Sequence, residues 1–224
     1  MEKARAVIPT KVFAILSEKT KQRELRACQR MSIDKGLFSS KNILVCSPTG
    51  SGKTLVAELA MLNAVLEKGR KAIYLVPLKA LASEKYQDFK KKYGAACRIG
   101  ISSGDLDTSD DYLASYDIII ATVEKFDSLL RHRPLWIGSI GCVVADEIHL
   151  LTDPGRGPAL EIVLTIMKTR FPSVQLIGLS ATIGNPQELG SWLEAEVVLD
   201  TYRPVPLKKG ILFEHEIEFL EDDT

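Results

Sequence analysis

A chain of 224 residues carrying 29 basic and 29 acidic side chains has no overall field that gathers polyanions, so any nucleic-acid binding has to come from a local surface. Its 46% apolar and 26% charged residues are those of a soluble globular protein, one large domain or a domain with additions. No stretch approaches the ~18 consecutive apolar residues of a membrane span, and the charged N-terminus shows no apolar signal-peptide core.

In chain order, the first ~40 residues read as two helices, one around Val12–Leu16 and one from Leu25 to Leu37, with Gly36 as a plausible stop. From Asn42 onward, short apolar runs alternate with helical stretches. Ile43–Cys46 is the first core strand, and one helix separates it from a second strand at Ala72–Val76, which makes a βαβ unit of right-handed crossover. Leu81–Tyr93 is helical, and its Lys90-Lys91-Lys92 cluster suits the negative end of the helix dipole. Strands follow at Arg98–Ser102 and Asp117–Ala121, then a helix at Val123–Arg131. A strand at Gly141–Asp146 ends in a carboxylate, and a helix over Gly157–Arg170 is entered through Pro158. A strand at Val174–Leu179, a short helix at Pro186–Leu193 and a late strand at Val197–Leu199 complete the alternation, and Lys209–Glu218 can pair as a hairpin before an acidic end. Nearly continuous apolar strands are what a parallel sheet covered on both faces requires, so the fold class is α/β, a doubly wound, mostly parallel sheet with helices on both faces. Ligands bind such sheets beyond the carboxyl ends of the strands. Cys28, Cys46, Cys97 and Cys142 lie far apart and form no metal-ligand pair; Cys46 and Cys142 fall in apolar runs and read as buried free thiols, as in a reducing cytosol.

Three segments at strand ends carry chemistry. Ser47-Pro48-Thr49-Gly50-Ser51-Gly52-Lys53-Thr54, between a strand and a helix, has the form of a phosphate-binding loop, with Ser47 in place of the usual first glycine. Gly50 and Gly52 let the backbone curl so that its N–H groups converge, and the following helix adds its positive end. Lys53 can reach the β- and γ-phosphates of a nucleotide, and the Thr54 hydroxyl can ligate Mg²⁺. Asp146-Glu147-Ile148-His149 closes another strand: Asp146 supplies the carboxylate that holds Mg²⁺, Glu147 is placed to orient or deprotonate water, and His149 to sense the γ-phosphate. Ser180-Ala181-Thr182 puts two hydroxyls at a third strand end, a weak signal alone.

Together and in this order, these segments resemble the superfamily 2 helicases of the DExH type, over almost the whole chain. Pro77-Leu78-Lys79-Ala80-Leu81, Ser103-Gly104-Asp105 and Ala121-Thr122-Val123-Glu124-Lys125 match further family segments. Asp146–Leu151, Asp153, Arg156-Gly157, Leu160-Glu161 and the exit Arg203-Pro204-Val205-Pro206-Leu207 are similar to the Ski-two-like branch, its archaeal DNA repair helicases fitting best. The resemblance implies a RecA-like P-loop NTPase using ATP and Mg²⁺. It divides the chain into an N-terminal helical extension (1–40), an ATP-binding first motor domain (41–202) and an exit segment (203–224). It makes Gln29 the reader of the adenine edge, Ser180, Ala181 and Thr182 a coupling segment, and Lys79, Gly104, Asp105, Thr122, Lys125 and Arg156 contacts to single-stranded or forked nucleic acid, DNA favoured over RNA. The setting it implies is the cytoplasm, or the nucleus in a eukaryote.

Helicases of this family hydrolyse ATP between two RecA-like domains, the second bringing arginine fingers. No second alternating half follows residue 207, so the expectation is a first motor domain that binds nucleotide, hydrolyses it slowly and unwinds nothing alone. An RNA helicase of the same branch, a small-molecule P-loop kinase and a nucleotide-dependent binding module are the alternatives. The carboxylate pair and Ser-Ala-Thr speak against the kinase, and Glu147 against the non-catalytic module.

Overall fold

Side chains alternate between two apolar layers along each central strand, which is why the sheet is buried on both faces. The computed structural model describes residues 7–19, 24–104, 110–203, 210–213 and 216–219. Its helices are α1 (Thr10–Lys19), α2 (Ala27–Asp34), α3 (Lys53–Leu62), α4 (Lys79–Tyr93), α5 (Val123–His132), α6 (Gly157–Arg170) and α7 (Pro186–Leu193). Its strands are β1 (Asn42–Cys46), β2 (Lys71–Val76), β3 (Ile99–Ser102), β4 (Ile118–Thr122), β5 (Ile140–Ala145), β6 (Gln175–Ser180) and β7 (Ala195–Leu199), with a separate antiparallel pair, β8 (Gly210–Phe213) and β9 (Glu216–Phe219), where the hairpin is expected.

Among the described residues, β1–β7 form one sheet in the order β3-β4-β2-β5-β6-β1-β7, every pairing parallel. Ile43, Val45, Tyr74, Val144 and Ile177 point to the layer filled by α1–α4, through Val12, Cys28, Val56, Leu59 and Phe89. Leu44, Ile73, Leu75, Val143 and Leu176 point to the layer of α5–α7, through Phe126, Leu129, Val163, Leu164 and Leu193. Each such side chain taken wholly from water contributes about 1.5–3 kcal/mol. This is the doubly wound RecA-like arrangement that the sequence implies, and α1 and α2 share its core.

Several boundaries differ from the sequence reading. The helix expected over Leu25–Leu37 is confined to Ala27–Asp34; Gly36, at φ +100°, turns the chain into a single 3-10 turn at Leu37–Ser39. The helix expected from Leu81 begins two residues earlier, at Lys79, and α3 runs on through a π-helical turn at Asn63–Glu67. Buried Glu58 on α3 accepts a hydrogen bond from the Tyr93 hydroxyl at 2.6 Å and one from Lys92 Nζ at 3.0 Å, which ties α3 to the far end of α4. Among the described residues, no helix is long and apolar enough to cross a membrane.

All four cysteines are free and buried. Burial pushes every thiol upward, Cys97 to about 11 and Cys142 to about 12. Since the thiolate is the reactive form, a disulfide-exchange reagent at pH 8 is expected to label the folded chain at most slowly, and to titrate four thiols once the chain is unfolded. Rapid labelling of the folded chain would contradict this packing.

Candidate nucleotide site and nucleic-acid groove

The sheet order sorts the strand-end segments into two neighbouring groups. The loop Ser47–Thr54 follows β1, Ser180-Ala181-Thr182 ends and follows β6, and Asp146-Glu147 follows β5, and these three strands are adjacent. On the other side of β5 lie β2, β4 and β3, whose ends lead to Lys79, Thr122 and Gly104.

Glycines at positive φ, Gly50 at +82° and Gly52 at +99°, shape the loop after β1. The Ser47 N–H donates to the Ser180 carbonyl at 3.2 Å, and the Ser47 and Ser51 hydroxyls meet at 2.7 Å. Lys53 Nζ donates to the loop's own carbonyls, Ser47 at 2.5 Å and Pro48 at 3.0 Å. Burial pulls the ammonium below the ordinary lysine range, and the Glu147 and Asp146 carboxylates act in the opposite sense. The Leu55 N–H already goes to the Gly52 carbonyl at 3.2 Å, but those of Lys53 and Thr54 have no partner within α3, so the loop offers an anion these two donors and a lysine.

The start of α2 braces this loop. Gln29, fully buried, accepts a hydrogen bond from the Arg26 N–H at 2.9 Å through Oε1 and donates through Nε2 to the Gly52 carbonyl at 3.0 Å. Its amide, expected to face an adenine edge, is engaged on both sides with protein. A Cβ at Gly52 would stand 2.5 Å from Gln29 Nε2, so only glycine admits the brace. Arg26 Nη1 donates to the Gly50 carbonyl, and the Cys28 N–H donates at 3.2 Å to Asp200, a buried carboxylate whose own N–H returns to the Cys46 carbonyl. Sequence reasoning missed Arg26 and Asp200. Arg26, three residues before Gln29, is the one with a visible signal, the spacing of a helix cap; Asp200 lies 172 positions from its partner Cys28 and has none.

Asp146 lies just past β5, its side chain 15% exposed. Its Oδ1 accepts the Glu147 N–H at 3.1 Å, and its Oδ2 accepts the Tyr74 hydroxyl at 2.6 Å with Lys85 Nζ 3.8 Å away. Glu147 sits at φ +52°, a left-handed conformation that a side chain with a Cβ adopts only where its surroundings hold it. His149 Nδ1 is 3.4 Å from Glu147 Oε2. Ser180 Oγ is buried beside the Cys46 thiol with no nitrogen or oxygen partner, while Thr182 is exposed. Among the described residues, no three His, Cys, Asp or Glu converge as a metal cage. The Thr54 hydroxyl and the Asp146 carboxylate are the hard oxygen donors that Mg²⁺ prefers, and Mg²⁺ commonly completes its octahedron with phosphate oxygens and water; the donor set therefore fits.

Four of the residues expected to meet nucleic acid line one cavity of about 350 Å³, Lys79, Gly104, Thr122 and Arg156, together with Pro77, Leu78 and Glu124. Thr122 is buried and caps α5, its hydroxyl accepting the Lys125 N–H at 3.3 Å. Lys125 requires a correction. It is 1% exposed and its ammonium lies 3.1 Å from Asp110 Oδ2, so it pins the chain ahead of β4 to α5 and presents no charge to a phosphate. Asp105 lies outside the described residues.

Arg156 is held by the turn that opens α6. Asp153 Oδ1 accepts the Gly155 and Arg156 N–H groups, both at 2.9 Å, and the Asp153 carbonyl accepts the Gly157 N–H at 2.8 Å. A Cβ at Gly157 would fall 2.2 Å from the Leu151 carbonyl oxygen, part of the backbone that follows Asp146 and Glu147. Gly157→Ala is expected to cost about 1–3 kcal/mol, the usual price of overpacking, and to lower the thermal midpoint by about 2–12 °C; a calorimetric scan against the parent chain checks it, and an unchanged midpoint would mean that this turn is not closed.

A family model for the DEAD/DEAH box helicases matches residues 26–189. The chain is 50% identical over 206 residues to the ATP-dependent DNA helicase Hel308 of Methanococcus vannielii, covering 89% of this chain and 27% of that protein. It is 46% identical over 215 residues to the protein of the same name from Pyrococcus abyssi, covering 96% of this chain and 29% of that one. With the Methanocaldococcus jannaschii protein of that name it shares 51% identity over 207 residues, 89% of this chain and 17% of that one. The chain thus spans under a third of the length of these relatives.

Proposed function

The chain belongs to the DEAD/DEAH box helicase family, and we propose that it is the first, ATP-binding motor domain of an ATP-dependent DNA helicase. One observation carries the reading: the sheet order sets the phosphate loop, the Asp146-Glu147 pair and Ser180 at the ends of three adjacent strands, with the Lys79–Arg156 groove beside them. Residues 41–202 are the motor domain in this reading, 1–40 bring Gln29 to it, and 203–224 lead out. DNA rather than RNA is favoured by the names of the relatives, each being called an ATP-dependent DNA helicase.

On this reading Lys53 leaves the Ser47 and Pro48 carbonyls to meet the β- and γ-phosphates, while the loop N–H groups hold the rest of the chain of phosphates. Thr54 and Asp146 would hold Mg²⁺, whose charge would offset the negative charge of the phosphates beside it. Glu147 orients the attacking water and takes its proton, and His149, beside it, relays the state of the γ-phosphate. Ser180 and Thr182, linked to the loop through the Ser47–Ser180 hydrogen bond, pass nucleotide state toward the groove. Lys79, Gly104, Thr122 and Arg156 engage the phosphates of one strand, contacts that position and do not read sequence. The charge-stabilising arginines come from a second RecA-like domain.

The test is ATP hydrolysis by the longer protein that carries both motor domains, with single-stranded DNA, single-stranded RNA or neither, at one fixed salt concentration because phosphate contacts are steeply salt-dependent. Stimulation by DNA supports the reading. Stimulation by RNA alone moves the chain to RNA helicases of the same branch, and stimulation by neither overturns the motor.

A further inference from the structure

Asp146, the proposed magnesium carboxylate, is already gripped by two residues that the nucleotide chemistry does not use. Tyr74, on β2 next to β5, is wholly buried, and its hydroxyl donates to Asp146 Oδ2 at 2.6 Å. Lys85 Nζ stands 3.8 Å from the same oxygen and 5.7 Å above the Tyr74 ring, its side chain only 18% exposed. Phe89 fixes that ring edge-on, centroids 5.1 Å apart. Both Lys85 and Phe89 belong to α4. That helix begins at Lys79 in the groove and reaches Lys85 about 9 Å further along its axis. Its other end is fastened to the phosphate-loop helix α3 through Glu58, Tyr93 and Lys92.

We propose that Tyr74 and Lys85 are positioning residues for Asp146: Tyr74 fixes the orientation of the carboxylate through Oδ2, and Lys85 supplies the counter-charge that a divalent cation has to displace. The inference rests on the reading of Asp146 as a magnesium ligand. A carboxylate left without its charged hydrogen bond loses a fixed direction, and a lysine beside it opposes a second cation in the same place. The two residues therefore act on magnesium with opposite signs, which a purely architectural role does not produce.

The experiment measures the affinity of this chain for a fluorescent ADP analogue against free Mg²⁺, for the parent chain, Tyr74→Phe, Lys85→Met and Lys85→Arg. Tyr74→Phe is expected to raise the Mg²⁺ midpoint about tenfold while leaving Mg²⁺-free nucleotide affinity within about twofold. Lys85→Met is expected to lower the midpoint several-fold, and Lys85→Arg to keep it, because the charge stays. Thermal midpoints of the variants, taken alongside, identify any that fail to fold, and the correctly folded variant of the pair still has to move the Mg²⁺ midpoint in its stated direction. Midpoints at the parent value, or moved in the same direction by Tyr74→Phe and Lys85→Met, overturn the inference while leaving the nucleotide site standing. A parent chain that binds the analogue with no dependence on Mg²⁺ overturns the magnesium reading of Asp146 and the inference with it, and one that does not bind the analogue at all overturns the nucleotide site itself.

Discussion

Lys53→Ala is expected to lower the affinity of the chain for ADP and ATP by about 10- to 100-fold, the loss of one charged hydrogen-bond donor worth about 1.5–3 kcal/mol. The starting geometry makes the assignment specific. Lys53 leans on the Ser47 and Pro48 carbonyls, which are backbone atoms of the loop that would receive the phosphates, so it is poised over the cradle rather than spent in a distant ion pair. The side chain is half-buried, and its ammonium is already depressed by burial, with Glu147 and Asp146 acting to restore it. A triphosphate adds far more negative charge at that point, so binding strengthens the protonated form. Fluorescence titration with a labelled nucleotide, at a temperature where both chains are folded, is the measurement. Lys53→Arg should not rescue affinity, since a planar fork in place of a compact ammonium does not fit a loop whose glycines at φ +82° and +99° leave no slack. Unchanged affinity in the alanine variant would mean that phosphates bind elsewhere on the sheet.

The strands and their carboxyl-end chemistry could be read in advance because both depend on short stretches. A run such as Ile43–Cys46 is apolar on both faces, and a Gly-Lys-Thr ending between strand and helix admits few other uses. The sheet order could not, since nothing in a run of seven similar strands says that β1 enters between β6 and β7, and that insertion is what brings Ser180 to Ser47. Long-range partners were invisible for the same reason. The resemblance sets Lys125 among the nucleic-acid contacts; its partner Asp110 lies 15 positions back and only the packed fold brings the pair together. Tyr74 reads as a core aromatic in an apolar strand, which it is, and its hydroxyl acquires a purpose only once β2 lies beside β5. Gln29 is singled out by the family resemblance alone, and its double engagement with Arg26 and Gly52 emerges only in the packed fold.

Glu147→Gln is expected to reduce ATP turnover by the two-domain protein by about 10²–10⁴-fold, the usual contribution of a positioned general base, with nucleotide affinity kept within about twofold. Glutamine preserves the size of the side chain and its hydrogen-bonding reach while removing the capacity to accept a proton. It also leaves the backbone where it is, which matters because residue 147 is held at φ +52° and a substitution that released it would disturb Asp146 and His149 together. Asp146→Asn supplies the contrast. Asparagine keeps one oxygen for the Tyr74 hydroxyl but loses the charge that holds a divalent cation, so Mg²⁺-dependent nucleotide affinity should fall along with turnover. Steady-state hydrolysis and nucleotide titration on both variants separate the two roles: turnover lost with affinity kept belongs to the group that handles water, and both lost together belong to the group that holds the metal. If Glu147→Gln weakened nucleotide binding as much as Asp146→Asn, the two neighbouring carboxylates would share the metal, and the proton acceptor would have to be sought among the side chains beside them, with His149 the first to replace.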